Sequence, residues 1–428
     1  MSPTARRPGA PRRALFPCLV LLTALGALDQ TMMATALPDV VTDLGDAERA
    51  AWPVTAYTLA LTSTMPAAGA LGDRVGRRRT LLASIAVFVL GSIACGLADD
   101  MTALTLARLV QGVGGAGLLT LPQAVVADAV PVRDRAAYLG PLGAVFAVAT
   151  VVSPLLGGWL TDTASWRWIF WVNLPLGAAA AVLVVTAVPA APAGRTHSER
   201  RAGNPALRVQ ALRHRTVLLC CLLALLAGFG LFGVLAYIPA WIQGMYGTSA
   251  SVAGLMLLPV TLGIVIGTNA SGLAVRRWGH WRAFPVVGCA LSAAAAATLA
   301  VIAGRMPPLP VVAGLLAVLA LGTGLFMQLI VVAAQDAGPS GATGKVTASL
   351  AFVREIGVLT GTAVLGSLAA HGLAAAPGRA AGAAFAPVLV VTAACFLSGL
   401  ALAFLLPRHR LGESDRHAGA RHGKHTQR

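Results

Sequence analysis

Charged residues are scarce in this chain. They account for 11% of its 428 residues, whereas soluble domains carry about 25%. The mean hydropathy is +0.77, and apolar residues gather into runs close to the roughly 20 residues that a membrane-spanning helix needs. Twelve such runs follow one another, at 14–37, 50–71, 80–98, 102–127, 137–160, 168–188, 216–240, 250–274, 283–303, 309–334, 345–371 and 384–406. The sequence therefore excludes an ordinary soluble domain and predicts an all-α membrane protein with about twelve transmembrane helices.

Lysine is nearly absent, with two lysines against thirty arginines. Together with abundant alanine, this bias is typical of GC-rich bacterial genomes. If both termini lie in the cytoplasm, 26 of the 32 basic residues lie on that side of the membrane, as the positive-inside rule requires. The net charge of +16 is therefore an orientation signal. We expect a multi-pass protein of a bacterial inner (plasma) membrane with both termini cytoplasmic, and no nucleic-acid partner.

Catalytic and metal-binding patterns are also missing from the sequence. It holds no phosphate-binding loop of the Walker type, which argues against an ATP-driven pump. It holds no histidine cluster, Ser/His pair or acid dyad at catalytic spacing, which argues against an intramembrane enzyme. The six cysteines fall within spans without metal-ligand spacing, so we expect small apolar packing residues. The sequence predicts no enzymatic activity, no bound metal and no cofactor.

A basic, polar segment divides the chain into two similar parts. Residues 189–215 combine Pro, Gly, Ser and His with six arginines, a composition typical of a solvated loop. We predict a cytoplasmic arm, a six-helix half, a cytoplasmic linker, a second six-helix half and a basic cytoplasmic tail, at 1–13, 14–188, 189–215, 216–406 and 407–428. Repeated halves with a binding site near the bilayer midplane are typical of secondary transporters.

A short cationic loop, GALGDRVGRRR at 69–79, joins the second and third spans. Its glycines permit a tight turn, and Asp73 is suited to cap a helix start and to pair with an arginine. A plain basic loop that only sets the orientation is the alternative. The second half has a related segment, SGLAVRRWGHWR at 271–282, in which Val275 takes the place of the acid.

The order Gly-x-Leu-x-Asp-Arg-x-Gly-Arg-Arg-Arg in this loop resembles the loop between helices 2 and 3 of the major facilitator superfamily. The resemblance implies a cytoplasmic gate formed by Gly69, Gly72, Asp73, Arg74, Gly76, Arg77 and Arg78. It also implies that Asp73 and Arg77 belong to a latch that stabilises the outward-facing state and opens during transport.

The fourth span contains a charged residue, Arg108, in the run LARLVQGVGGAGLL at 106–119. A charge inside a membrane helix costs about 2.5–3.5 kcal/mol on insertion scales, so it generally faces a polar cavity with a partner. Gln111 falls on the same helix face, and the glycines that follow allow close helix packing. Arg108 snorkelling to the interface is the alternative. The pattern Arg-x-x-Gln-Gly resembles the proton-transfer motif of the superfamily.

The first span contains a single deep acid, Asp29, with Gln30 beside it. A buried carboxyl is suited to bind and release a proton, and a structural acid satisfied by Arg108 or by the backbone is the alternative. The run LDQTMMATALPDV at 28–40 resembles the helix 1 motif of proton-driven drug exporters. The resemblance implies that Asp29 and Arg108 couple proton binding to transport.

The fifth span, GPLGAVFAVATVVSPLLGGWL at 140–160, resembles the antiporter motif of the superfamily. The matching residues are Gly140, Pro154, Gly157 and Gly158. Ala149 and Ser153 stand where the motif has glycine. Both are small, so we expect the close packing and the kink at the proline to persist, although the departure weakens the indication of antiport over symport.

The start of the sixth span, SWRWIFWVNLPLG at 165–177, combines tryptophans with one arginine, as at a membrane interface. It also resembles the fourteen-helix drug:proton antiporter branch of the superfamily. Further runs similar to that branch are WIQGMYG at 241–247, SVAGLMLLP at 251–259 and SLAFVREIGVLTGTAVLG at 349–366. That branch inserts two extra helices between its halves. The linker here is too short to hold them, so we predict twelve.

The eleventh span carries the adjacent charges Arg354 and Glu355. Adjacent helical residues point about 100° apart, so we expect no simple ion pair between them. Glu355 is a second candidate proton site, with a buried structural charge as the alternative, and Gly357 and Gly361 form a small-residue seam. The candidates for lining a substrate cavity are Gln30, Gln111, Gln243, Asn269, Gln328, Gln335 and Arg354.

Taken together, these resemblances imply a secondary transporter. It would export a hydrophobic or amphipathic, drug- or antibiotic-like compound in exchange for protons by alternating access, driven by the proton-motive force and acting as a monomer in the bilayer. A proton-coupled nutrient symporter of the same fold is one alternative. A membrane sensor or scaffold that transports nothing is the other.

Overall fold

The computed structural model describes residues 14–46, 49, 52–189, 214–248, 250–338, 342–373 and 378–408. The predicted cytoplasmic arm at 1–13, nearly all of the predicted linker and the tail from 409 onward lie outside these residues. Within the described part the chain is almost entirely helical and has no β-strand. The all-α class expected from the composition is confirmed.

The described residues form twelve long helical segments, which follow the order of the twelve expected spans. They are α1 Leu15–Leu44, α2 Trp52–Val75, α3 Arg77–Gly96, α4 Met101–Ala129, α5 Val132–Thr163, α6 Trp168–Ala187, α7 Arg215–Leu235, α8 Leu257–Trp278, α9 Ala283–Ile302, α10 Leu309–Ala337, α11 Thr343–Leu373 and α12 Arg379–Phe404. Among the described residues, nine segments are long and apolar enough to cross a membrane, and Leu15–Gln30 is a shorter apolar helix.

Several helices extend beyond the apolar runs that predicted them. The helix α1 ends at Leu44 instead of 37, and α5 begins at Val132 instead of 137. The extra turns contain charged residues such as Asp43 and Asp134. Hydropathy marks only the part of a helix suited to lipid, whereas helical hydrogen bonding continues into the polar region. The helices are therefore longer than the runs.

The helix α7 differs from the unbroken span expected over 216–240. Its α-helical hydrogen bonding changes to a π-helical turn at Gly228–Phe232, and a separate short helix, Ile238–Tyr246, follows α7. Pro239 lies in the first turn of that short helix. Proline has no N–H to donate to the preceding turn, so it favours a new helix start over continuation.

The chain divides into two compact units. Unit 1 comprises Met1–Pro131, Val148–Leu207 and Pro339–Ala348, and unit 2 comprises Val132–Ala147, Arg208–Gly338 and Ser349–Arg428. The first half of α5 therefore belongs to unit 2, and the first turns of α11 belong to unit 1. The division into contiguous six-helix halves remains a prediction.

Glycines of α4 allow close helix packing in unit 1, as the sequence predicts. A Cβ placed on Gly112 would lie 2.5 Å from the carbonyl oxygen of Tyr57, so α2 packs directly against this position. A Cβ on Gly114 would collide with the backbone nitrogen of Phe88 on α3. The helix α4 therefore packs closely between α2 and α3. This packing fixes the position of Arg108, which lies about one helical turn before Gly112.

The seam of α11 packs closely in unit 2. A Cβ on Gly361 would lie 2.6 Å from the carbonyl oxygen of Phe229, and one on Gly357 would collide with the carbonyl oxygen of Leu225. These contacts place α11 against α7 at its π-helical turn. The six cysteines are buried and free, which matches their expected packing role: Cys18, Cys95, Cys220, Cys221, Cys289 and Cys395.

Candidate functional site

A buried ion pair joins α1 to α4 in unit 1. The Arg108 guanidinium donates from Nη1 to Oδ2 of Asp29 at 2.7 Å. Arg108 is 0% exposed and Asp29 3%. Arg108 therefore lies in the protein interior and does not snorkel to an interface. Asp29 has Arg108 as its partner, the arrangement expected of either a proton-binding pair or a structural one.

Two amides complete the surroundings of Asp29. Gln111 donates from Nε2 to Asp29 Oδ1 at 2.8 Å, and Asn173, from the start of α6, donates from Nδ2 to the same oxygen at 2.8 Å. Both amide nitrogens also contact the hydroxyl of Ser92 on α3, at 2.8 and 3.2 Å. Four helices therefore contribute to one buried polar network.

The network has a definite polarity around the carboxylate. Asp29 accepts three N–H hydrogen bonds, from Arg108, Gln111 and Asn173. Gln111 in turn accepts from Arg108 Nη1 at 2.8 Å through its Oε1. Donated N–H groups match the lone pairs of a carboxylate. The arrangement shown is therefore complementary to a charged Asp29 beside a charged Arg108.

The helices α2 and α6 contact the other side of Arg108. The guanidinium carbon lies 4.0 Å from the ring centroid of Tyr57 and 5.8 Å from that of Phe170. Arg108 Nε also donates to the carbonyl oxygen of Pro53 at 3.4 Å. Cation–π contacts of this kind gain strength when the cation is shielded from water. Arg108 is therefore oriented by α1, α2 and α4 together.

The sequence prediction missed three members of this network: Ser92, Tyr57 and Asn173. Asn173 lies in the tryptophan-rich string that was attributed to the membrane interface, so its signal was present but was assigned to another role. Ser92 and Tyr57 carry no distinguishing local pattern. Gln30, a predicted cavity residue, directly follows Asp29 in α1 and is half-buried.

A second polar cluster forms where α2 ends. Asp73 Oδ1 accepts from Arg77 Nη2 at 2.6 Å, and Arg77 Nε donates to Asp128 Oδ2 at 2.8 Å. The carboxylate of Asp73 also accepts from the backbone N–H groups of Gly344 at 3.0 Å and Lys345 at 2.8 Å. Asp73 therefore caps the N-terminal turn of α11, where the unpaired backbone N–H groups attract an anion.

The segment at 69–79 was expected to be a loop, but it is helical except at Gly76: its first residues end α2 and its last residues begin α3. These residues surround the cluster. Gly76 separates α2 from α3 with a φ of 104°, a conformation that favours glycine. A Cβ on Gly69 would collide with the backbone of Gly344, and one on Gly72 would lie 2.7 Å from Leu121. Arg74 is exposed, and Arg78 is half-buried.

The antiporter motif of α5 shows a specific departure from glycine. The Ser153 hydroxyl is buried and donates to the carbonyl oxygen of Leu28, the residue before Asp29. In unit 2, a Cβ on Gly140 would lie 2.8 Å from the carbonyl oxygen of Thr268, so this glycine packs closely. Gly157 is buried, whereas a Cβ on Gly158 would meet open space. The side chain of Pro154 lies outside the described residues.

Arg354 and Glu355 form an ion pair in unit 2, and the expectation that they would not was wrong. Arg354 Nη2 lies 2.8 Å from Glu355 Oε1. Their Cα–Cβ bonds diverge, but the three-methylene stem of arginine lets the guanidinium curve toward the neighbouring carboxylate. The same guanidinium lies 5.4 Å from the ring centroid of Phe146. Glu355 is buried.

The polar cavity candidates of unit 2 divide into two groups. Gln243 and Asn269 donate to carbonyl oxygens of their own helices, Pro239 at 3.2 Å and Val265 at 2.8 Å. Gln328 and Gln335 are buried on α10. A Cβ on Gly143 would lie 2.5 Å from Gln328 Nε2, so this amide faces α5.

Comparison with known proteins places these features in a family. The profile of the Major Facilitator Superfamily matches residues 19–362. The chain belongs to the major facilitator superfamily. The members of this family are membrane transporters, not enzymes, and they generally need no cofactor. The fold and family implied by the 69–79 loop are therefore confirmed, and the protein is a multi-pass membrane protein of the superfamily.

Several relatives in the superfamily are named as transporters. An uncharacterised MFS-type transporter of Mycobacterium tuberculosis is 35% identical over 424 residues, covering 86% of this chain and 62% of the relative. The multidrug transporter protein MdtP of Bacillus subtilis is 27% identical over 83% of this chain and 75% of its own length. Multidrug resistance protein 3 of the same species is 33% identical over 60% of each chain. The chain spans about three fifths of the length of the mycobacterial relative.

Solved structures show the same fold at low identity. The proton:xylose symporter XylE gives a TM-score of 0.70 at 15% identity, covering 90% of this chain and 95% of its own. The transporter FucP, in the outward conformation, gives 0.71 at 16% identity over 93% of this chain and 100% of its own. These likenesses support the superfamily fold alone.

Proposed function

We propose that this protein exports a hydrophobic or amphipathic compound in exchange for protons by alternating access. The buried pair of Asp29 and Arg108 carries the proposal. Ionisable side chains inside membrane helices are costly, and where they occur they mark ion or proton pathways. The relatives named as multidrug transporters support an exporter with drug-like cargo.

Protonation of Asp29 gives the network a second state. With Asp29 ionised, Arg108 has its counter-ion; once Asp29 binds a proton, Arg108 is a buried cation without one. An uncompensated buried charge is strongly unfavourable, so proton binding must be accompanied by movement of α1 or α4 or by a new partner for Arg108. Proton uptake is thereby coupled to a conformational change.

The driving force is adequate for export. Each proton that moves inward through a membrane potential of 100 mV supplies about 2.3 kcal/mol. Since about 1.36 kcal/mol corresponds to a tenfold ratio, one such charge supports roughly a fifty-fold gradient of substrate. The cluster of Asp73, Arg77 and Asp128 would act as the cytoplasmic gate. Its bonds to the start of α11 would break when this side opens.

Glu355 is our second proton-site candidate. It is buried and paired with Arg354, so a buried acid with an arginine partner occurs in unit 2 as it does in unit 1. The two pairs differ in geometry, because Asp29 and Arg108 come from different helices whereas Arg354 and Glu355 are neighbours on α11. Helix movement would separate only the first pair, which favours Asp29 as the main coupling site.

The expected setting of the protein follows from its charge distribution. We place both termini in the cytoplasm of a bacterium, with the chain acting as a monomer in the inner membrane. Its partners would be a small-molecule substrate, protons and lipid. The basic residues predicted for the cytoplasmic side support this orientation.

Transport by the purified protein tests the proposal. In proteoliposomes with an acidic lumen and the cytoplasmic face outward, a fluorescent drug such as ethidium should accumulate and release luminal protons. Asp29→Asn should abolish this accumulation, because an amide cannot carry the proton. Asp99→Asn is the matched control, since Asp99 is exposed in the loop between α3 and α4. That variant should transport like the wild type.

The same assay separates the alternatives. Proton and substrate moving in the same direction would indicate a symporter. No movement of any compound in a broad panel, with the protein folded, would favour the sensor or scaffold. Accumulation that persists unchanged in Asp29→Asn would disprove the proton assignment.

A further inference from the structure

We propose that Asn173 is a positioning residue for the proton site, whose side-chain amide turns over when Asp29 binds a proton. The inference rests on the proposed role of Asp29 and extends it to α6. Asn173 is 2% exposed, and it donates to Asp29 Oδ1 at 2.8 Å and to Ser92 Oγ at 3.2 Å.

The local role that asparagine usually plays at a helix start does not account for this residue. Asn173 opens the longer part of α6, Asn173–Ala187, directly after the short helix Trp168–Trp171. Asparagine at such positions commonly caps backbone N–H groups through its oxygen. Here the side chain donates two hydrogen bonds from Nδ2, and both reach other helices. The side chain therefore serves the network around Asp29.

Protonation changes what Asp29 needs from its neighbours. A carboxylate only accepts hydrogen bonds, whereas a protonated carboxyl also donates one O–H. The three groups that contact Asp29 all present N–H donors: Arg108, Gln111 and Asn173. A proton on Asp29 therefore requires one of them to be replaced by an acceptor.

Arginine has no acceptor to offer, so the choice lies between the two amides. Gln111 is held at both ends, because its Oε1 accepts from Arg108 Nη1 at 2.8 Å and from the Cys95 thiol at 3.5 Å. Turning it over would point its NH₂ group at an arginine N–H. Within the part of the chain that the structure describes, the Asn173 side chain bonds only through Nδ2, so a half-turn about its last side-chain bond presents Oδ1 to the protonated Asp29.

Ser92 can follow this turn. Its hydroxyl now donates to the carbonyl oxygen of Phe88 at 3.0 Å and accepts from both amides. A hydroxyl both donates and accepts and rotates freely, so it suits either orientation of Asn173. The other titratable or charged groups facing the site are Arg108 from α4, Cys95 from α3 and Tyr57 from α2. The helix α5 contributes the Ser153 hydroxyl beside Leu28.

Two substitutions test the effect on proton affinity. Asn173→Leu removes the hydrogen bond to ionised Asp29 and also the bond to protonated Asp29, and the bond to the charged form is the stronger of the two. The pH at which Asp29 is half-protonated should therefore rise by about one unit, a tenfold gain in proton affinity. Asn173→Asp places a second carboxyl beside Asp29, and two adjacent carboxylates share a proton. The rise should then be larger. If Asn173 had only a structural role, the pH at which Asp29 is half-protonated would not increase in the order wild type, Asn173→Leu, Asn173→Asp.

The readout is the infrared carboxyl band of Asp29 in lipid-reconstituted protein, identified by its loss in Asp29→Asn. Thr186→Val is the control, because Thr186 lies exposed on α6 and bonds its own helix backbone. Its midpoint should equal that of the wild type. Equal midpoints in the wild type, Asn173→Leu and Asn173→Asp would overturn the inference while leaving Asp29 as a proton site.

A measurement on the wild type avoids any folding defect of the variants. With side-chain ¹³C-labelled asparagine, of which the chain has three, an amide C=O band should shift at the same pH as the Asp29 band. The shift should disappear in Asp29→Asn and in Asn173→Leu. An amide C=O band that stays constant over the pH range in which Asp29 titrates would overturn the inference. The absence of any Asp29 titration would overturn the proposed function, and this inference with it.

Discussion

The carboxylate of Asp73, at the end of α2, accepts a hydrogen bond from the backbone N–H of Lys345 at 2.8 Å, in the first turn of α11. The donor is the backbone N–H of Lys345, so any residue except proline at position 345 can form this bond. The same carboxylate holds the N–H of Gly344 and the Arg77 guanidinium. One acid therefore serves a helix start and an ion pair simultaneously.

Substitutions at positions 73 and 345 should distinguish the contribution of the Lys345 backbone N–H from that of the Lys345 side chain. Asp73→Asn leaves one acceptor oxygen for two backbone N–H groups and removes the charge, and hydrogen bonds to charged groups are worth about 1.5–3 kcal/mol. Lys345→Pro removes the N–H at a helix position that tolerates proline. Both should lower the thermal midpoint of unfolding and alter the transport rate.

Lys345→Ala is the matched control for this pair. It keeps the N–H and should leave both the unfolding midpoint and the transport rate at wild-type values. A Lys345→Ala effect as large as that of Lys345→Pro would show that the lysine side chain, and not the cap by Asp73, stabilises this turn.

Removal of Arg108 should destabilise the protein more than removal of both charges. In Arg108→Ala the Asp29 carboxylate is left buried without a cation, which typically costs about 3–5 kcal/mol. The double variant Asp29→Asn/Arg108→Ala removes that uncompensated charge and should recover part of the loss. Thermal unfolding of the wild type, Arg108→Ala, Asp29→Asn and the double variant in one detergent gives the coupling energy between the two residues. Additive effects would contradict an interior ion pair.

Arg108→Lys should abolish export although the charge is kept. Arg108 Nη1 bonds Asp29 and Gln111 simultaneously, while Nε bonds the Pro53 carbonyl. A lysine ammonium cannot reproduce this planar arrangement or its stacking on Tyr57. Drug accumulation in efflux-deficient cells measures the effect. Full export by the Arg108→Lys variant would mean that only the charge matters.

The Ser153 hydroxyl should contribute a small amount of stability without a role in coupling. Hydrogen bonds between membrane helices average about 0.6 kcal/mol, so Ser153→Ala should lower the unfolding midpoint slightly and retain proton-coupled export. Ser398→Ala is the matched control, because the exposed Ser398 hydroxyl donates only to the backbone of its own helix, at Ala394. Loss of coupling in Ser153→Ala would instead tie the Leu28 carbonyl to the chemistry of Asp29.

The C-terminal end of α1 should contribute a stability that depends on acid pH. Hydrogen bonds from the Arg167 guanidinium and the Trp166 indole hold the pKa of Asp43 below its usual value. Because the folded pKa is the lower one, this contribution is present above the unfolded pKa of about 4 and is lost as pH falls through the folded value. The unfolding midpoints of the wild type and Asp43→Asn should differ at neutral pH and converge in acid.

Asp39→Asn is the control for that titration, since Asp39 is exposed on the same helix. It should track the wild type at every pH. If the gap between the wild type and Asp43→Asn stayed constant down to acid pH, the stabilising interaction would not depend on the ionised carboxylate.

Helix order was predictable because hydropathy and charge asymmetry act over whole segments. The positions of Asp29, Arg108 and Gln111 were also inferable, since a charge in an apolar run must find a partner. Asn173 and Ser92 were not, because a neutral polar residue in a membrane helix has many ways to satisfy its hydrogen bonds. Only the packing of α3 and α6 against α1 and α4 brings them to Asp29.

Arg354 and Glu355 on α11 show a second reason why the sequence does not predict every side-chain contact. Helical geometry gives the direction of each Cα–Cβ bond correctly, but the length of the arginine side chain decides where its charge lies. Arg354 bends back to Glu355 for that reason. The opposite case is Gly158, where a family pattern predicted close packing and the position faces open space. Neither outcome is visible in the spacing of residues alone.

The π-helical turn at Gly228–Phe232 determines which insertions and deletions the sequence of α7 can accept. Contacts with α11 occur on both sides of the turn, at Leu225 before it and at Gly233 after it. A π-helical turn holds one residue more than an α-helical turn, so deleting one residue within it would leave a continuous α-helix with both flanks near their present orientation. Inserting one further residue would instead rotate one flank by about 100° relative to the other and lose one set of contacts. During evolution this turn should therefore lose a residue more readily than it gains one, although a bilayer by itself accepts helices of different lengths.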